Sequence, residues 1–268
     1  MAGFYPVFEA ARRVGGDRVA VVDLTPAGAE PHDLELDSRQ VDRIEDADLV
    51  FYLDGGFQPG VERAVRRAEG EVVDVSNLGP SGPLSGVEGP GLIEGDPHVW
   101  LDPSLMARVV ERIRAAYVKV DPASAPAYEA RAQEYVAELN QLDDAFRRSL
   151  ADCDRRVIVT AHAAFGYLAR RYGLTQEAVA GLSPESEPDP GRLAQLSDMV
   201  RARGVTTIFY ETLVSPKVAQ ALAREAEVRT AVLNPVEGRT DEEVDAGQTY
   251  LSLMRTNLTT LRSALGCR

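Results

Sequence analysis

Residues 127–150 read AYEARAQEYVAELNQLDDAFRRSL. Tyr128, Ala132, Tyr135, Leu139, Leu142, Phe146 and Leu150 recur at intervals of three and four, and neither Gly nor Pro interrupts them. That spacing lays an apolar stripe along one face of an α-helix. At 1.5 Å per residue the stretch makes a rod of about 36 Å, the span of a domain. Asp121-Pro122 ends or kinks whatever precedes it. The rod divides the chain into two parts that share one rhythm of strand and helix, and this rhythm decides the fold class.

Before the rod, residues 4–14 have helical spacing and stop at Gly15-Gly16. Val19–Val22 reads as a short β-branched strand. Ser38 is expected to cap a helix running to Asp46. Ala47–Leu53 and Glu71–Val75 read as strands, with a helix over Phe57–Ala68 between them. Residues 76–97 are rich in Gly, Pro and Ser and read as an irregular loop. Leu105, Val109, Ile113 and Val120 mark a helix opened by Asp102 at the N-cap and Pro103 at the first helical position. Beyond the rod come strands at Arg156–Thr160, Glu177–Ala180, Val205–Tyr210 and Thr230–Leu233. Helices are expected at Phe165–Tyr172, Arg192–Arg203, Ser215–Ala226 and Thr249–Leu265, with an acidic, Pro-rich loop at 183–190. Strands alternating with helices imply parallel sheets covered by helices. The expectation is an α/β protein: two parallel-sheet α/β lobes joined by a long rigid helix. The N-terminal lobe covers 1–121, the connecting helix 122–150 and the C-terminal lobe 151–268. No sequence repeat links the two lobes beyond the rhythm itself.

The net charge of -13 argues against a nucleic-acid partner, because neutralising phosphates needs a basic face. It suits a protein that meets cations. No apolar run reaches the ~20 residues a bilayer crossing needs. There are two cysteines, Cys153 and Cys267, and no Cys-x-x-Cys pair. They form either a disulfide, which an exported protein can keep, or two separate thiols.

All three histidines fall at structurally marked places. His32 lies in the turn-rich run Leu24–Asp33, after a strand. His162 follows the strand Arg156–Thr160. His98 sits in Gly95-Asp96-Pro97-His98-Val99-Trp100-Leu101-Asp102-Pro103, where two prolines stiffen the backbone around the imidazole. In open parallel sheets, ligands bind beyond the carboxyl ends of strands. One such histidine is usually a plain polar contact. Three of three, with none spent elsewhere, point to a single metal site, and neutral imidazoles suit Zn²⁺. Two of them precede the rod and one follows it, so the metal is expected in the interlobe cleft.

At this point the chain resembles a known family, the solute-binding proteins of zinc and manganese ABC transporters (the metal-binding lipoproteins, a cell-adhesion lipoprotein family). The matching runs are Pro26–Asp33, Ala47–Val50, Asp96–Pro103, Val159–Tyr167 and Thr249–Leu258, in family order over nearly the whole chain. The resemblance implies two lobes joined by a helix, a metal held between them and delivery to a membrane permease. It implies His32, His98 and His162 as metal ligands. Manganese-type members usually carry a carboxylate at the third position, so His162 favours Zn²⁺ over Mn²⁺. The family often supplies a fourth ligand shortly before its last helix. The corresponding residue is Gln248, a weaker amide donor, with Asp245 nearby. Asp33, Asp96, Asp102 and Glu211 are the carboxylates expected to orient the imidazole rings. Residues 76–97 lack the histidines that many zinc members carry there. The family also has a signal peptide, often a lipid-modified cysteine, and a strand before Phe4-Tyr5-Pro6. The expectation is an N-terminally truncated chain whose full-length form is extracytoplasmic, monomeric and lipid-anchored.

Four functions compete. The first is a non-catalytic Zn²⁺ receptor for an ABC permease. The second is a zinc-dependent hydrolase with an open fourth position; it would need a general base, and without a His-Glu-x-x-His motif that role would fall to Glu211. The third is a structural zinc site, which ordinarily uses more cysteine. The fourth, a nucleotide-binding domain, lacks Gly-x-Gly-x-x-Gly and Walker loops. The three histidines and the family resemblance together favour the receptor.

Overall fold

The computed structural model describes residues 1–76, 78, 95–184 and 190–268. Most of the expected loop 76–97 and of the acidic loop 183–190 lies outside the described residues. In chain order the elements are α1 (Tyr5–Gly15), α2 (Ser38–Glu45), β1 (Leu49–Tyr52), α3 (Pro59–Ala64), β2 (Glu71–Asp74), α4 (Pro103–Val120) and α5 (Ala125–Ser149). They continue with β3 (Val157–Thr160), α6 (Gly166–Arg171), β4 (Thr175–Ala178), α7 (Pro190–Ala202), β5 (Thr207–Tyr210) and α8 (Lys217–Glu225). The last are β6 (Arg229–Val232), α9 (Asp241–Asp245) and α10 (Tyr250–Leu265). The protein is α/β with parallel sheets and one long helix, α5. Six of the stripe residues lie in that helix and Leu150 directly after it, and all seven are buried, because spacings of three and four keep them on one face.

The chain forms two compact units, neither continuous in sequence. The first takes Met1–Ser85, Pro103–Gln141 and Val236–Tyr250; the second takes Gly86–Asp102, Leu142–Pro235 and Leu251–Arg268. Helix α5 contributes residues to both.

In the first unit β1 and β2 pair in parallel, Leu49 opposite Glu71 through Tyr52 opposite Asp74. Ala2 makes single parallel bridges to Asp23 and to Phe51. The expected strand Val19–Val22 is absent as a regular strand. Its β-branched residues are suited to one, but a strand needs a ladder, and Ala2 makes a single bridge here: Ala2 N donates to Val22 O and Leu24 N to Ala2 O, each at 2.9 Å. Helix α2 is capped by Asp37, not Ser38. The Asp37 carboxylate accepts from Gln40 N, and the Gln40 side chain accepts from Asp37 N, a reciprocal capping box. The expected helix over Phe57–Ala68 is shorter, Pro59–Ala64 with a 3₁₀ turn after it. Leu24, Ile44, Val50, Val61, Ala64 and Val65 form the apolar centre.

The second unit carries a four-stranded parallel sheet in the order β4-β3-β5-β6. Strand β4 starts two residues earlier than expected, since Val157 pairs with Thr175; the turn at Gly173 delivers the chain straight onto the edge of β3. Val159 and Ile208 from the sheet pack with Leu196, Val200, Leu222 and Ala223 from α7 and α8. Cys153 and Cys267 are joined by a disulfide. Helix α9 was not foreseen: its five residues carry no apolar period, and it is held by a Thr240–Glu243 capping box. Among the described residues no helix is long and apolar enough to cross a membrane.

Candidate metal centre

Two strand ends assemble the centre in the second unit. His162 lies two residues beyond β3 and Glu211 immediately beyond β5, and these strands are neighbours in parallel register. Their carboxyl ends therefore bring the two side chains together. Glu211 Oε1 lies 2.5 Å from His162 Nδ1. The His162 carbonyl accepts from Thr160 Oγ1 at 2.7 Å and from Gln176 Nε2 at 3.0 Å.

His98 arrives from the stiff stretch. Asp96 Oδ1 accepts from His98 N at 2.9 Å and lies 2.7 Å from His98 Nδ1. The 3₁₀ turn Val99–Leu101 follows, wholly buried, and Trp100 Nε1 donates to Pro235 O at 2.8 Å. Helix α6 fastens the same stretch. Tyr167 OH donates to Asp96 O, and burial first, then the Asp96 carboxylate, push that phenol up to about 12. One turn on, Arg171 grips Asp143 of α5 through Nε (3.0 Å) and Nη2 (2.8 Å) and lies 3.8 Å from Asp102. Asp143 also accepts from Tyr172 OH, whose ring stacks on Phe146.

Both histidines are fully buried. A carboxylate on each Nδ1 sets the tautomer that puts the coordinating lone pair on Nε2. The two Nε2 atoms stand 3.4 Å apart. Two ligands of a tetrahedral ion with bonds of ~2.0–2.1 Å are about 3.3–3.4 Å apart. The pair is thus spaced as two ligands of one zinc ion.

The first unit holds a second pair. His32 is the middle residue of a 3₁₀ turn, Pro31–Asp33. Its backbone N–H donates to Glu30 Oε1, Phe57 packs edge-on to its ring at 4.6 Å, and Gln58 Nε2 donates to Pro31 O. His32 Nε2 lies 3.7 Å from Glu237 Oε2. The Glu237 side chain is buried, and a buried carboxylate belongs with a cation or a metal.

Of the carboxylates expected to orient the rings, Asp96 and Glu211 touch the imidazoles of His98 and His162. Asp102 lies near Arg171, and Asp33 is exposed at the end of its turn. The carboxylate on the His32 backbone is Glu30. Gln248 receives Tyr5 OH and Arg239 Nη1 on its carbonyl oxygen. Asp245 ends α9 on the surface. Glu237 was missed from the sequence. It is one of 42 acidic residues and lies in a loop without periodicity. The available signal was Asn234-Pro235 directly after a strand, which marks a strand-end loop of the kind that carries His162.

Parallel strand ends that carry a histidine and the carboxylate that holds it, beside a second carboxylate-held histidine, define an α/β metal-binding protein. The chain belongs to the ZnuA family, described as zinc-uptake complex component A, periplasmic, whose profile matches residues 1–264. Zinc-binding protein AdcA of Streptococcus pyogenes serotype M1 is 38% identical over 97% of this chain, which spans about half (54%) of that relative's length. The high-affinity zinc uptake system protein ZnuA of Bacillus subtilis is 35% identical, over 98% of this chain and 86% of its own. Among solved structures, the Zn(II)-bound ZnuA-like domain of Streptococcus pneumoniae AdcA superposes with a TM-score of 0.82 at 35% identity, covering 98% of this chain and 97% of that one.

Proposed function

We propose that this chain captures Zn²⁺ outside the cytoplasm and passes it to the membrane permease of an ABC transporter. The zinc donors are His32, His98, His162 and Glu237. The observation that carries the reading is the His98–His162 pair: two Nε2 atoms 3.4 Å apart, each ring held from behind by a carboxylate. Three imidazoles and one carboxylate make a nitrogen-rich set, which favours Zn²⁺ over the oxygen-seeking Mn²⁺. Glu237 takes the place expected for Gln248, because a buried carboxylate facing His32 is the stronger, charged donor. The long helix α5 is the link between lobes, and the surplus of negative charge draws cations in. Zinc-binding and zinc-uptake relatives support the same reading.

A hydrolase is disfavoured by the position of Glu211. Its carboxylate is engaged with Nδ1 of His162, on the opposite side of the ring from Nε2, and so does not face a water held by the metal. Competitive Zn²⁺ titration tests the proposal. Substitutions H98A and E237Q should weaken binding at least tenfold, whereas Q248A should stay within about twofold. An unchanged affinity in E237Q would return the fourth position to Gln248 or to water.

A further inference from the structure

Glu237 stands in a strained and heavily tethered loop. Val236, directly before it, is fully buried with φ of 58°. A left-handed backbone crowds the Cβ of an L-residue, and for a β-branched residue it is a true outlier. Such strain persists only where surrounding contacts enforce it. On the N-terminal side, Asn257 clasps both main-chain groups of Asn234, and Trp100 holds the Pro235 carbonyl.

On the C-terminal side everything converges on Arg239. Its carbonyl accepts from Gly28 N at 2.8 Å, which ties this loop to the loop carrying His32. Gly28 itself has φ of 77°, so the turn presenting that N–H suits glycine. The Arg239 guanidinium donates to Gln248 O at 3.0 Å and lies 4.2 Å over the Tyr5 ring, a cation–π contact. Tyr5 OH in turn donates to the buried Glu9 carboxylate, which also accepts from Tyr250 N at 2.9 Å. Tyr5 of α1 and the Gln248 carbonyl thus fix the Arg239 side chain, and the His32 loop fixes its main chain, two residues after Glu237.

We infer that Arg239 is a positioning residue for metal capture: its guanidinium anchors the Glu237 loop to Tyr5 of α1 and to the Gln248 carbonyl, and so keeps the Glu237 carboxylate aimed at His32 against the strain at Val236. This inference rests on the reading of Glu237 as a zinc donor. It assigns Arg239 no contact with the metal.

A double-mutant cycle on Zn²⁺ affinity tests it, using full-length chains with the melting temperature of the metal-free forms measured alongside. E237A alone reports whether Glu237 is a donor. R239A should lower affinity about 10- to 100-fold, the usual loss when the support of a ligand is removed. R239A/E237A should bind no more weakly than E237A alone, because a positioner has nothing to position once the carboxylate is gone. A residue that merely stabilises the fold would give losses that multiply. Should R239A not fold, R239K keeps the charge but loses the planar fork, and is read in the same cycle with an expected loss of several-fold. Affinity within twofold of native in R239A, or multiplying losses in the double variant, overturns the inference. An unchanged E237A overturns instead the donor reading on which it rests.

Discussion

Replacing Cys153 and Cys267 by serine should weaken the second unit severely while leaving zinc binding alone. The two cysteines are 114 residues apart in sequence, and the segment between them contains all four strands of the larger sheet. The loop-closure relation for that length gives about 16 cal/mol/K, or about 5 kcal/mol at 25 °C, removed from the unfolded chain by the cross-link. The folded chain loses little else. Beside the bridge, Arg155 N donates to Leu265 O at 3.1 Å, Cys267 N to Arg262 O at 3.0 Å and Arg268 N to Asp152 O at 3.0 Å, so the two ends stay together without the sulfurs. His98 and His162 are held by Asp96 and Glu211 and do not depend on the bridge. The assay is urea unfolding of the metal-free protein. Trp100, the only tryptophan, is fully buried in the second unit and reports its unfolding by fluorescence. The expected result is a loss of about 4–5 kcal/mol, a somewhat larger denaturant slope from the freer unfolded chain, and Zn²⁺ affinity within twofold of native. A loss below about 1 kcal/mol would refute the entropic argument. A fivefold drop in affinity would show that the bridge shapes the metal centre.

Three further outcomes are expected. Asp96→Asn and Glu211→Gln should each lower zinc affinity about 10- to 100-fold by releasing a ring, with little change in metal-free stability, as read by competitive titration and thermal melts. Asn257→Ala should cost about 2–5 kcal/mol in urea unfolding, because it strands the buried N–H and C=O of Asn234, now bonded at 2.9 and 2.6 Å. Asp23 has its carboxyl pushed up to about 7 by burial, against the pull of Thr25 N and Arg239. The folded chain therefore binds a proton that the unfolded chain releases near pH 4, and stability should fall as pH rises from about 4 to 7. Asp23→Asn should flatten that slope and leave the metal-free protein roughly 1–2 kcal/mol more stable at pH 8, with no gain at pH 4.

The elements that could be read in advance are those whose signal is local and repeated. Helix α5 announced itself through six buried positions at spacings of three and four, Tyr128 to Phe146, because helix geometry alone puts them on one face. The parallel α/β class followed from the alternation of strands and helices. The three histidines were conspicuous because they are few and each follows or precedes a stiff, well-marked element. Reading failed where the deciding partner is remote. Val19–Val22 has the residues of a strand but no ladder. Strand β4 took its register from Val157, eighteen residues away.

The sequence by itself determined the fold class, the long helix and the three imidazoles, because helix period, strand rhythm and a scarce residue type are properties of the chain taken in order. Only the tertiary structure decided that His98, which precedes α5, is grouped with His162, and that Asp96 and Glu211 hold those two rings. Only the tertiary structure placed Glu237 against His32 and gathered Tyr5, Gly28 and Gln248 around Arg239. These are distances between residues far apart in sequence, set by which strand lies beside which and by the packing of helices upon them. A lone glutamate after a strand carries no mark of such a meeting.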